Sequence, residues 1–251
     1  MIQLKSEEQI KRIGEACAIT ARLMDSLPSF IEPGMSTKDI DQYCYDYIIK
    51  HKGIPSFLDY GGFPASACVS VNEEVIHGIP SEKKIIKEGD LVSVDLGINL
   101  NGYYSDMART FIVQETKEAY KKLCEVTQKS LELGIEAASK SGARIQDIGK
   151  AVSAHCSKHG YGVVRDFTGH GVGLAVHEGP EIPNYSAPFL ANPRIREGMV
   201  LAIEPMINLG THKVAILEDN WTVVTQDGLP SAHFEDTVAI TKDGLVILTR
   251  G

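Results

Sequence analysis

Carboxylates in the middle of apolar runs are the first sign of chemistry in this sequence. Asp95 interrupts Leu91–Leu100, and Glu204 interrupts the run from Val200 to Leu209. The two segments align without a gap. KEGDLVSVDLGINL, from Lys87, and REGMVLAIEPMINL, from Arg196, share E-G and I-N-L, and Asp95 falls opposite Glu204. An acid inside an apolar strand is costly unless it is paired or metal-bound. Two at equivalent places point to a duplicated half with a shared site on a pseudo-two-fold axis.

A third acid follows from hairpin geometry. Asn101-Gly102 is a strong signal for a two-residue type I′ turn. With those residues as the loop, Asp106 pairs with Gly97 and Arg109 with Val94. Asp106 then shares a face with Asp95 on the diagonal, about 7–8 Å away, and Gly97 is expected to leave room between them. An ordinary solvated face would carry the same pair. The segment TGHGVGLAVHEGP adds His170 and His177, and SAHFEDTVAIT adds Glu235. The spacing of seven does not place both imidazoles on one strand face, so the Gly-rich turn is expected to present the first histidine separately. A lone histidine is more often a hydrogen-bonded core residue than a ligand, but two beside a Gly-rich turn, with four candidate acids, favour metal-binding or acid–base chemistry. GVGLAV lacks the third glycine and opening helix of a dinucleotide fingerprint, and no G-x-S-x-G elbow is present.

The elements that must hold these residues are legible in outline. Ser6 with Gln9 forms a capping-box pattern, and Ile10, Ile13, Cys17 and Ala21 recur at helical spacing up to about Pro28. Similar periodicity spans residues 37–50, 116–140 and 145–158. Strand patterns cover 91–100, 110–113, 200–209, 221–225 and 237–241. Clustered helices and hairpin-linked strands predict an α/β (α+β) protein with a largely antiparallel sheet.

Composition narrows the function classes. The chain has 251 residues, 43% hydrophobic and 23% charged, with no Ser/Gly/Pro-rich linker, so one domain over 1–251 is expected. No apolar stretch is long enough for a membrane span. The charged N-terminus (Lys5, Glu7, Glu8, Lys11, Arg12) is unlike a secretory signal, and a cytoplasmic protein is expected. A net charge of −8 argues against nucleic acid as a direct ligand. Five scattered cysteines, never in C-x-x-C, fit neither a disulfide framework nor a thiolate zinc site.

In its motifs the chain resembles the type I methionine aminopeptidases, within the wider pita-bread group of prolidases and creatinases. The resemblance covers nearly the whole length: VNEEVIHGIP, VDLGINLNGYYSDMARTF, TGHGVGLAVHEGP, AIEP and FEDT. It implies a pita-bread fold, a pseudo-two-fold antiparallel sheet with helices on its outer face. It implies five metal ligands, Asp95, Asp106, His170, Glu204 and Glu235, holding two divalent ions of Co, Mn, Fe or Zn. Asp106 and Glu235 would bridge both ions, Asp95 would chelate one, and His170 and Glu204 would hold the other. Two ions sharing one water can lower its pKa toward about 7. Glu204 would shuttle protons, His177 would stabilise the tetrahedral intermediate, and His77 would position the peptide beside the scissile bond.

The implied methionine pocket is Tyr60, Phe63, Cys68 and Trp221, with Phe57 and Val176 departing from the best-known members. Substrates would be nascent polypeptides with a free N-terminal Met and a small, uncharged second residue. A monomer near the ribosome is the expected working state. An X-Pro peptidase is disfavoured because such enzymes generally carry an additional N-terminal domain. A catalytically dead binding module is disfavoured because all five ligands are present.

Overall fold

The computed structural model describes residues 2–250. Helix α1 (Glu7–Ser26) starts at the Ser6–Gln9 capping box, in which each residue's side chain accepts the other's backbone N–H. Ser36 caps α2 (Thr37–Lys50) in the same way through Asp39. Helices α3 (Glu118–Ser139) and α4 (Ile145–Ser157) fall within two residues of the expected bounds. All four expected helices are present.

Two antiparallel halves underlie the fold. In the first, the strand Leu91–Leu100 pairs on one side with Cys68–Val71 and Ile54–Pro55, and on the other with Tyr103–Ile112. In the second, Val200–Ile203 lies between Gly169–Gly171 and Asp236–Thr241. The N-terminal half buries Val92, Val94, Leu96 and Ile98 against α1 and α2; the C-terminal half buries Leu201 and Ile203 against α3 and α4. Helices therefore cover each half on its outer side. The halves meet where Glu235 N–H donates to Ala108 O at 2.9 Å and Thr237 Oγ1 donates to Asp106 O at 2.7 Å.

The hairpin keeps the expected register, with Gly97 opposite Asp106 and Val94 opposite Arg109. Asn101 (φ 54°) and Gly102 (φ 86°) both adopt the left-handed conformation that a type I′ turn demands. Other strands differ from the expected bounds. The hairpin's return strand begins at Tyr103 rather than residue 110, and the strand expected from Trp221 begins at Val223. The expected run 200–209 is two strands, Val200–Ile203 and Met206–Asn208, in different sheets. Pro205 has no N–H to donate to a ladder, and the chain changes sheets there.

Candidate metal centre

The sheet change places two acids face to face. Ile203 pairs with Asp236 and Met206 pairs with His233, so the register is the same on both sides of the break. Glu204 and Glu235 occupy opposed positions between those pairs. Like charges directly opposite repel unless a cation lies between them. From the other half, Cys68 and Ala108 flank Asp95, and Ala108 bridges to Glu235. Asp95, Asp106, His170, Glu204 and Glu235 all line one cavity of about 130 Å³.

The donor atoms fit divalent metal. Ligand atoms of Asp106, His170 and Glu235 lie within 4.8 Å of one another. His170 Nδ1 donates to Gly171 O at 2.8 Å, so its Nε2 carries a lone pair; that atom stands 3.4 Å from Glu204 Oε1 and 3.7 Å from Asp106 Oδ2. A lone pair facing two carboxylates is repulsive until a cation sits among them. Asp95 Oδ1, Asp106 Oδ1 and Glu235 Oε1 are buried without any hydrogen-bond partner. Burial pushes Asp95 up to about 7, and burial with mutual repulsion raises Asp106, Glu204 and Glu235 well above the carboxylate range. Burial, with His177 adding to it, pushes His170 down to about 3.

Two expected details differ. His170 lies within the strand Gly169–Gly171, and it is His177 that the following turn presents. The turn folds back so that the two rings sit 4.2 Å apart. A Cβ at Gly97 would lie 2.7 Å from Ser105 O and 3.2 Å from the Phe57 ring. The space at Gly97 is therefore closed by Ser105 O, Ser56 and Phe57, the last a wall of the cavity, rather than left open between the carboxylates.

The same cavity has an aromatic side formed by Phe57, Tyr60, Phe63, Cys68, His77, His177 and Trp221. Phe63 meets Trp221 edge to face at 5.2 Å. Trp221 is set by an Asx turn in which Asp219 Oδ1 accepts from its N–H at 2.9 Å. Tyr60 Oη lies 2.9 Å from His177 Nδ1. His77 adopts φ 57°, uncommon outside glycine, and its ring stands edge-on to Phe167 at 5.7 Å and Trp221 at 6.1 Å. Burial, with His177 adding to it, pushes His77 down to about 4. Val176 is buried but is not among the side chains lining the cavity.

One residue the sequence reading passed over is His233. It is fully buried, both ring nitrogens lack hydrogen-bond partners, and Nε2 lies 3.8 Å from Glu204 Oε2. Its place two residues before Glu235, on the same face of an extended segment, was the available signal.

Residues 11–242 match the family model described as metallopeptidase family M24. The chain belongs to metallopeptidase family M24. Among M24 relatives it is 50% identical to the methionine aminopeptidase of Borreliella burgdorferi, over 98% of this chain and 97% of that protein. The crystal structure of the Thermotoga maritima methionine aminopeptidase superposes with a TM-score of 0.95 at 42% identity, covering all of both chains. The Pyrococcus furiosus prolidase superposes at 0.77 with 28% identity, covering 99% of this chain but 65% of that one. The M24 chain therefore has the expected pita-bread fold. Metal dependence follows from family membership and agrees with the donor set.

Proposed function

We propose that the protein is a methionine aminopeptidase, a single catalytic domain that removes the initiator methionine from nascent polypeptides in the cytoplasm, where those chains are made. The observation that carries this reading is the two-sided cavity. Cys68 lies directly opposite Asp95 across the strands, so an apolar aromatic pocket abuts the carboxylate cluster. The whole cavity, carboxylate cluster included, is about 130 Å³, far below the ~300 Å³ of small cofactor pockets, so its apolar side admits no more than one side chain. Phe63, Tyr60 and Trp221 suit a thioether, which gains from sulfur–aromatic contact.

The five ligands proposed are Asp95, Asp106, His170, Glu204 and Glu235, holding two divalent ions of Co, Mn, Fe or Zn. The opposed Glu204–Glu235 pair and the orphaned oxygens of Asp95 and Asp106 support two ions, because four buried carboxylates need more charge than one dication supplies. When bound, the metal supplies Lewis acidity that polarises the scissile carbonyl and acidifies water. Glu204 Oε, ionised when the metal is bound, would accept the proton that water loses as it attacks and pass it to the amide nitrogen as the peptide bond breaks. With Tyr60 Oη as the donor across its 2.9 Å contact to His177 Nδ1, the imidazole keeps Nε2–H to donate to the developing oxyanion. His77 faces the peptide beyond the first residue, and Trp221 with Phe63 closes the methionine side.

The test compares Met-Ala-Ser, Met-Leu-Ser, Leu-Ala-Ser and N-acetyl-Met-Ala-Ser with protein prepared without oxygen and titrated with Fe²⁺, Mn²⁺, Co²⁺ and Zn²⁺. Met-Ala-Ser is expected to exceed the others in kcat/KM by more than the roughly 10–200-fold that one methylene provides. Comparable rates for all four peptides would remove the assignment.

A further inference from the structure

The segment ahead of α1 runs beside the turn that carries His177. Lys5 N–H donates to Gly198 O at 2.7 Å, and Ile2 bridges Gly179. Lys5 Nζ reaches Glu178 Oε2 at 2.5 Å, with the two side chains 1% and 3% exposed. Glu178 Oε1 accepts from the N–H groups of Leu174 at 2.6 Å and Ala175 at 3.1 Å. One carboxylate thus spans the turn internally and ties it to the N-terminal segment. Tyr104 N–H, donating to Gly173 O at 2.8 Å, pins the start of the same turn. Gly173 has φ 131°, and a Cβ there would strike Ile13 and touch the Lys5 stem.

Neither Lys5 nor Glu178 lines the cavity. Burying two charges is expensive, and apolar residues of similar volume often serve stability as well or better. Stability alone therefore gives no reason for this pair. Its geometry gives another: Glu178 follows His177 directly, and its carboxylate fixes the backbone two and three residues before that histidine.

We propose that Lys5 and Glu178 are positioning residues for His177, the ion pair clasping residues 173–178 so that the imidazole stands beside His170 and against Tyr60. The proposal rests on the reading of His177 as the oxyanion donor. A small displacement of a reacting group can cost about 100-fold in rate, whereas methionine binding by Phe63 and Trp221 would be untouched.

The experiment uses the full metal-loaded chain with Met-Ala-Ser and a mutant cycle. Lys5→Met and Glu178→Gln are each expected to lower kcat about 10–100-fold with KM changed less than about twofold, and Lys5→Arg to regain most of the rate. In a His177→Ala background, Lys5→Met should cost nothing further, because the group it positions is gone. Glu178→Gln in that background gives the same decision if Lys5→Met fails to fold. An undiminished effect of both substitutions beside His177→Ala, or a KM rise at constant kcat, overturns the proposal. A His177→Ala enzyme with normal kcat would instead remove the catalytic reading beneath it, and the proposal with it.

Discussion

Glu204 and Glu235 are held opposite each other at a corner between sheets, each buried and each pushed up by its neighbours. Replacing one acid with its amide should therefore move function and metal-free stability in opposite directions. Glu235→Gln is expected to lower Mn²⁺ affinity by more than the roughly 10–100-fold typical of outer-shell partners, and to abolish turnover. The same change should raise the melting temperature of the chelator-treated protein, since a buried carboxyl that must take up a proton to fold is replaced by a neutral amide. Titration calorimetry and thermal melts on one preparation check both halves. A variant that binds metal normally removes Glu235 from the ligand set.

At the scale of elements, the first hairpin is a ruler that sets Asp106 against Asp95. Its two-residue loop needs positive φ at both positions, and a Cβ added at Gly102 would meet nothing within 4 Å. The cost of substitution there is therefore backbone strain alone. Gly102→Ala is expected to destabilise by about 1 kcal/mol, and Gly102→Asn by less, because Asn tolerates the left-handed region. Urea denaturation of the two variants gives the comparison; equal losses would show that side-chain contacts, not φ, set the cost. Both the turn and the register were readable from the sequence because they depend on neighbours along the chain. The break in the run 200–209 was hidden because apolar residues continue on both sides of it, and the repeat of Leu91–Leu100 suggested one strand.

For the whole molecule, metal and proton compete for the same buried centre. The raised carboxyls Asp95, Asp106, Glu204 and Glu235 hold protons in the folded state at pH values where the unfolded chain has lost them, so they reduce stability as pH rises. The depressed histidines His77, His155, His170, His177 and His233 act oppositely, but only below 6.5, where the unfolded imidazole is charged. The two sets offset each other from about pH 4.5 to 6.5, and above that the carboxyls alone remain. Metal-free protein should thus lose melting temperature between about pH 6.5 and 8, and the gain on adding Mn²⁺ should widen over the same range. A gain independent of pH would show that the ion does not displace those protons.

The sequence by itself determined the helices, the first hairpin and its register, the pseudo-two-fold repeat and the acids Asp95, Asp106 and Glu204; Glu235, which alone reads as a turn acid, came in through the family resemblance. Helices, hairpin and acids depend on period, capping, turn chemistry or a carboxylate where an apolar residue belongs, all of them local, and the repeat on comparing the segments from Lys87 and Arg196. Tertiary structure decided which acids stand opposed, that Phe57 helps close the space beside Gly97, that His177 rather than His170 comes from the turn, and that buried His233 faces Glu204. It also joined Lys5 to Glu178 across 173 residues of chain. These contacts arise where separate sheets and the N-terminal segment pack together. Periodicity along one segment carries no information about which distant segment will fill the space beside it.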